Sequence, residues 1–239
     1  MTFDQAEFEI RCEWGERGAG QLAPVSDVVI IVDVLSFSTC LEIANSRGAA
    51  VFPYCWKDAS AREFAASLNA ELAQPERDAS GYTLSPASLT KIPNNTRLVL
   101  PSPNGSTISL ATGATPTLAG CLRNCRAIAR AAMKYGRHMA VIPAGERWSD
   151  DSLRPAFEDL IAAGAIINHL QGRLSPEAQM AAAVYTNLSV DLKPLLKQCS
   201  SGKELIERGF ECDVELASEL DVSECVPTLV NGAYVHQLI

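Results

Sequence analysis

Four acidic side chains stand where chemistry would be done. Asp33 ends the unbroken apolar run V-V-I-I-V, Glu146 follows H-M-A-V-I-P after one Ala-Gly, and Glu158-Asp159 fall early in an apolar helical stretch. An acid closing a wholly apolar segment has few bland explanations, because a buried carboxylate needs a partner. Hydroxyls cluster directly behind it at Ser36, Ser38 and Thr39. A second polar turn, S-P-N-G-S-T at 102–107, follows the apolar run R-L-V-L. There Asn104 and Gly105 suit a tight turn with positive φ, and Ser106 and Thr107 can cap a helix or donate to an anion. Carboxylates beside an anion pocket repel the ligand unless a cation lies between them. Mg2+ does that with one or two carboxylates, phosphate oxygens and water. Asp33, Glu146, Glu158 and Asp159 are thus the candidate metal ligands, with Asp33, Glu146 and Asp159 also the catalytic candidates. The competing reading of Glu158-Asp159 is a favourable charge in a first helical turn, and that of 102–107 is a plain turn and cap.

The elements that must position these residues alternate in type. Strands are expected at 28–32, 49–54, 97–100 and 138–143, with Pro53 confining the second to an edge or an end. Helices are expected at 38–46, 61–73 (behind Asp58-Ala-Ser), 121–136, 155–170 and from Ser175 onward. The tail 226–238 offers one or two strands, and 74–95 reads as a long polar loop of the length that is often functional. Such alternation predicts an α/β fold, three layers α/β/α around a largely buried mixed sheet. In open sheets of this kind ligands collect at strand carboxyl ends, where all three polar segments fall.

A chain of 239 residues with 47% apolar and 20% charged residues is globular rather than disordered, and is expected to form a single α/β domain over 1–239. Its net charge of −8, with no Lys/Arg run, excludes a general nucleic-acid binder but leaves room for one small anion in a local pocket. No apolar run approaches the ~20 residues of a membrane span, and the acidic start is unlike a signal peptide. A cytoplasmic protein is expected, with a homodimer as one open arrangement and its eight cysteines as thiols. Cys121 and Cys125 stand one helical turn apart, but no second Cys/His pair has zinc-type spacing, so a structural zinc site is not expected.

Taken in order, IIVDVLSFST, SPNGST, CLRN, IPAGE, FEDLIAAGAII and the tail RGFECDVELASELDVSECVP resemble the 2-phosphosulfolactate phosphatase family from about residue 20 to 230. The resemblance implies a three-layer fold and Mg2+-dependent hydrolysis of a phosphate monoester on a 2-hydroxy acid, the step that in methanogens leads to sulfolactate and coenzyme M. It implies substrate contacts at Ser36, Ser38, Thr39, Asn104, Gly105, Ser106, Thr107, Arg123 and Asn124. Two positions depart from the family pattern: Ser36 stands where an arginine is usual, and Leu84 where an asparagine is usual. Arg123 is the candidate replacement cation; otherwise it is an ordinary helix-surface arginine.

The leading expectation is therefore a Mg2+-dependent phosphatase acting on a small anionic phosphate ester, with backbone amides of 104–107 holding the transferred group. No D-x-D pattern or C-x5-R loop marks a covalent nucleophile. The alternative is a non-catalytic phosphate-ester-binding or regulatory protein on the same fold, suggested by the missing arginine at 36. A dinucleotide-dependent oxidoreductase is disfavoured by the absence of G-x-G-x-x-G.

Overall fold

In the computed structural model, which describes residues 3–55 and 59–237, the apolar run Val28–Val32 is a fully buried strand inside a nine-stranded mixed sheet. The sheet is built from β1 (Ile10–Cys12), β2 (Val28–Val32), β3 (Ala50–Tyr54), β4 (Glu71–Leu72), β5 (Arg97–Pro101), β6 (Thr117–Gly120) and β7 (Met139–Pro143), completed by β10 (Pro227–Val230) and β11 (Ala233–His236). Between them, β8 (Glu146–Arg147) and β9 (Leu153–Arg154) form a separate antiparallel ribbon. The helices are α1 (Gly15–Leu22), α2 (Phe37–Ser46), α3 (Ala59–Ser67), α4 (Pro86–Leu89), α5 (Gly105–Ala111), α6 (Cys125–Ala132), α7 (Phe157–Ile167), α8 (Pro176–Leu188), α9 (Leu192–Gln198), α10 (Ser200–Glu207) and α11 (Glu211–Ala217).

Strand order is β1-β7-β2-β6-β10-β11-β3-β5-β4. Two parallel blocks, β1-β7-β2-β6 and β3-β5-β4, flank the antiparallel hairpin β10–β11. Across the hairpin the nominal strand sense reverses. Adjacent strands rotate by roughly 20–25° each, so the five steps from β2 to β5 turn β5 enough for the loops after both strands to meet. The side chains of β2 alternate between two cores. Val28, Ile30 and Val32 pack with Ile128 of α6 and Ile161 and Ile166 of α7. Val29 and Ile31 pack with Leu22 of α1 and Ile108 of α5. Helices thus cover both faces, and the expected three-layer α/β/α arrangement around a mixed sheet is what the chain forms. Among the described residues, no helix is long and apolar enough to cross a membrane.

Some boundaries differ from the periodicity. The helix expected over 61–73 stops at Ser67; Asn69 turns left-handed at φ 48°, and Glu71–Leu72 then pair in parallel with the free edge of β5. The segment 121–136 begins as a 3-10 turn, Leu122–Asn124, before α6. Pro53 lies in an interior strand, but two residues beyond the Tyr234–Val51 rung that ties β3 to β11, so its missing N–H disrupts no ladder there. The long loop 74–95 carries α4. Asp58 and Leu238 lie outside the described residues.

Helices α7 and α8 pack backbone to backbone at Gly164, where an added Cβ would stand 2.1 Å from the Ala181 carbonyl oxygen. Gly164→Ala is expected to force the pair apart and destabilise the protein by about 1–3 kcal/mol, read as a lower denaturation midpoint. An unchanged midpoint would mean that the two helices slide freely.

Candidate active site

The loops after β2, β5 and β7 converge, and acids hold them together. Asp33 is 6% exposed. Its Oδ1 accepts from the Phe37 amide at 3.1 Å, the start of α2, and its Oδ2 from the Gly105 amide at 2.9 Å, the start of α5. Asp159, in the first turn of α7, accepts from the Val34 amide through Oδ1 and from the Gly145 amide through Oδ2, both at 2.8 Å. Gly145 sits at φ 69°, a left-handed turn that suits glycine, and leads into β8, where Glu146 lies opposite Arg154. Asn104 donates to Glu146 Oε2 at 2.9 Å, tying the β5 loop to that ribbon. Glu158 is buried beside Asp159, and its Oε2 accepts from the Cys199 thiol at 3.4 Å.

The four carboxylates feel one another. Burial, then the charge of Glu158, pushes the Asp33 carboxyl up to about 6 against the pull of its two amide donors. Burial, then Asp33 and Glu158, pushes Glu146 up to about 7. Burial and the same neighbours raise Asp159 well above the carboxylate range. Among the described residues, none of the four has an ion pair within 4.0 Å. Buried oxygen donors lacking a counter-cation suit a hard divalent cation. No three of them bring ligand oxygens within 4.8 Å of one another, so they do not form a preassembled three-ligand set.

A cleft of about 210 Å3 is lined by Asp33 and Glu146 together with Arg77 and Arg208, and Glu204, also in its lining, pairs with Arg208 at 3.1 Å. Arg77 comes from the long loop. Its Nη2 donates to Ser36 Oγ at 3.1 Å and its Nη1 to Asp213 Oδ2 at 2.7 Å. Asp213 is buried and also accepts from Ser85 Oγ and the Ala87 amide, so one carboxylate anchors both the loop and its arginine. Arg77 keeps three unused N–H donors for an anion. A larger cleft of about 550 Å3, lined by Trp14, Arg17, Ile108 and Arg147, shares Asn104 and Glu146 with the first.

The residues singled out from sequence divide into two groups. Asp33, Ser36, Asn104, Glu146, Glu158, Asp159 and Gly105 come together. Ser38 and Thr39 brace the turn after β2 instead: Ser38 Oγ bonds Ile31 O and the Asp33 amide, and Thr39 Oγ1 bonds Val34 O. Ser106 Oγ donates back to Leu100 O, and Thr107 is half-buried and lines neither cleft. Arg123 lies elsewhere, paired with the buried Glu42 at 2.5 Å and with Glu219. Asn124 is spent on backbone, accepting from the Cys121 amide and donating to Cys225 O. Sequence reasoning missed Arg77, Arg208 and Asp213; only the length of the loop 74–95 hinted at the first. Gly105 is also not left-handed, contrary to the expectation for its turn. It must be glycine because a Cβ would meet the Phe37 ring at 2.3 Å and Asp33 Oδ2 at 2.7 Å.

A family model described as 2-phosphosulpholactate phosphatase matches residues 19–232. The chain is 25% identical over 221 residues to a probable 2-phosphosulfolactate phosphatase of Pseudothermotoga lettingae, covering 90% of this chain and 95% of the relative. It is 27% identical to a protein of the same description from Thermotoga petrophila, over 90% and 96% of the two chains. It is 29% identical to the 2-phosphosulfolactate phosphatase of Methanothermobacter thermautotrophicus, over 87% and 88%.

Gly105→Ala is expected to cost about 1–3 kcal/mol through collision with Phe37 and loss of the Asp33–amide contact; a fully stable variant would show that this junction gives way easily. Stability should also depend on pH in a specific direction. Asp33 and Glu146 hold protons more tightly folded than unfolded, so their contribution is complete below the unfolded values and is lost as pH rises through about 6 and 7. In metal-free buffer the melting temperature should fall from pH 5 to pH 8, and Glu146→Gln should flatten part of that slope. Surface acids with lowered values, such as Asp27 and Glu215, titrate below this window. A flat or rising profile would contradict the buried cluster.

Proposed function

The chain belongs to the 2-phosphosulpholactate phosphatase family, and from that premise we propose that it hydrolyses a small 2-hydroxy-acid phosphate monoester in the Asp33–Glu146 cleft, with 2-phosphosulfolactate the first substrate to test. The observation that carries the reading is that Asp33 and Glu146, backed by the buried Glu158 and Asp159, line one small cleft together with Arg77 and Arg208. Acids alone repel a phosphate ester, and arginines alone would bind it without turnover.

The residues divide the work. Arg77 is held by Asp213 and Ser36 with donors to spare, and Arg208 faces the same space; both take the anionic groups of the ester by charge-assisted hydrogen bonds. Glu146 stands between the two clefts and is the group best placed to take a proton from the attacking water or return one to the leaving alkoxide. Asn104 orients that carboxylate. Asp33 and Asp159 have each oxygen on one backbone amide, which fixes their position and leaves a second lone pair on each oxygen free.

The family resemblance implies Mg2+, and the donor set suits it. Glu146 and Glu158 keep the freest oxygens, and Asp33 and Asp159 supply the rigid remainder. When bound, the ion neutralises phosphoryl charge and lowers the cost of generating the nucleophilic oxygen. The non-catalytic alternative drew on the missing arginine at position 36; Arg77 reaching Ser36 from another part of the chain supplies a cation at that place.

The test is phosphate release from 2-phosphosulfolactate, phospholactate and an ester with no second anionic group, with Mg2+ present. Turnover is expected of at least one of the two acids that carry anionic groups besides the phosphate. Arg77→Lys should raise KM for these by about one to two powers of ten, the worth of a lost bidentate contact, and affect the third ester least. No turnover of any ester by folded protein would leave a binding protein. Equal losses on all three esters would mean that Arg77 holds only the phosphoryl group.

A further inference from the structure

Outside the acidic cleft, three side chains of different chemistry meet: Cys125 at the start of α6, His169 just beyond α7, and Asp221 in the segment between α11 and β10. One ligand atom from each lies within 4.8 Å of the other two, the one such trio among the described residues. The Cys125 thiol donates to Asp221 Oδ1 at 3.3 Å, and His169 Nε2 stands 4.0 Å from Asp221 Oδ2.

Local structure accounts for part of this. Asp221 caps α6 by accepting from the Arg126 amide at 3.0 Å, and Arg126 Nε pairs with its Oδ2 at 2.8 Å. That explains the acid and tolerates the thiol. It leaves the imidazole, whose Nε2 faces the carboxylate at a distance too long for a hydrogen bond.

We propose that Cys125, His169 and Asp221 form a binding site for a zinc-class divalent metal ion. Sulfur, nitrogen and oxygen donors suit zinc. Zinc bond lengths in a tetrahedron set ligand separations of about 3.4 Å for nitrogen to oxygen and about 3.6 Å for sulfur to oxygen. The observed 4.0 and 3.3 Å need only side-chain adjustment. The frame is already rigid, since the Asp221 amide donates to Leu122 O and the Ser223 amide to Arg123 O, pinning this segment to the turn before α6. On binding, the Cys125 thiol releases its proton to solvent and the thiolate takes the metal. Arg126, whose side chain is 59% exposed, swings away at little cost. The fourth position stays open to water. None of the three residues lines the Asp33–Glu146 cleft, so the ion acts as a staple joining α6, the end of α7 and the lead into β10.

The experiment uses the full-length chain, stripped of metal and held in excess Mg2+ so that the carboxylate cleft does not report, and titrated with Co2+. The expected result is a thiolate-to-cobalt absorption band in the near ultraviolet that saturates at one ion per chain and is bleached by Zn2+. Cys125→Ser should abolish the band. His169→Gln should weaken binding by roughly tenfold or more, at least what losing an outer-shell partner costs. Arg126→Gln should tighten it, because a competing cation is gone. No saturable band in the wild type overturns the proposal, as does an undiminished band in Cys125→Ser, which would place the ion on another thiol. Should Cys125→Ser fail to fold, His169→Gln decides: unchanged affinity there rejects the site.

Discussion

One carboxylate holds two helix starts. Asp33 takes the first free amide of α2 on one oxygen and that of α5 on the other, and so joins loops whose strands, β2 and β5, belong to different parallel blocks of the sheet. Asp159 repeats the device between the loops after β2 and β7. Backbone donors at helix starts need acceptors, and an ionised acceptor is a strong one. The same two bonds that stitch the loops therefore bury negative charge. Glu146 and Glu158 add two more acids to the same region, and burial with the repulsion of neighbouring acids drives Asp33, Glu146 and Asp159 toward protonation. The site is thus poised: its scaffold requires the anions, and the anions require a compensating cation or protons.

For the proposed phosphate ester, the same cleft also offers cations. Arg77 and Arg208 reach it from segments remote in sequence, and Arg77 is oriented by a buried acid, Asp213, that also caps α4. An ester lying among these arginines and acids meets donors and, with a metal in place, neutralised carboxylates. Glu146, reached from both the small and the large cleft, stands where a reacting phosphoryl group and its organic part would divide.

Much of this was legible in the chain. Continuous apolar runs marked β2, β5 and β7, and the acids at or just beyond the ends of two of them do come together in the structure. What could not be read had physical causes. Strands β1 and β6 are three and four residues long, too short for periodicity to speak. The edge strand β4 hid inside a helical pattern because pairing with β5 outweighed propensity. The hydroxyls of Ser38, Thr39 and Ser106 suggest ligand contacts, but each donates to a backbone carbonyl in or just after β2 and β5, at Ile31, Val34 and Leu100. Arg123, the candidate cation by sequence, is instead paired with the buried Glu42. The arginine that does face the cleft depends on Asp213, far along the chain, and no local pattern announces such a partnership. The trio Cys125, His169 and Asp221 was hidden for the same reason, its members lying on three separate elements.

The central claim is that the buried acids form a cation-dependent reaction centre. Calorimetric titration of the metal-free full-length chain with Mg2+ at pH 8 tests it most directly, with Glu158→Gln and Glu146→Gln alongside. The account predicts saturable binding by the wild type, lost or strongly weakened in both variants while their folds persist. Binding that is absent in the wild type, or equal in all three proteins, would contradict it.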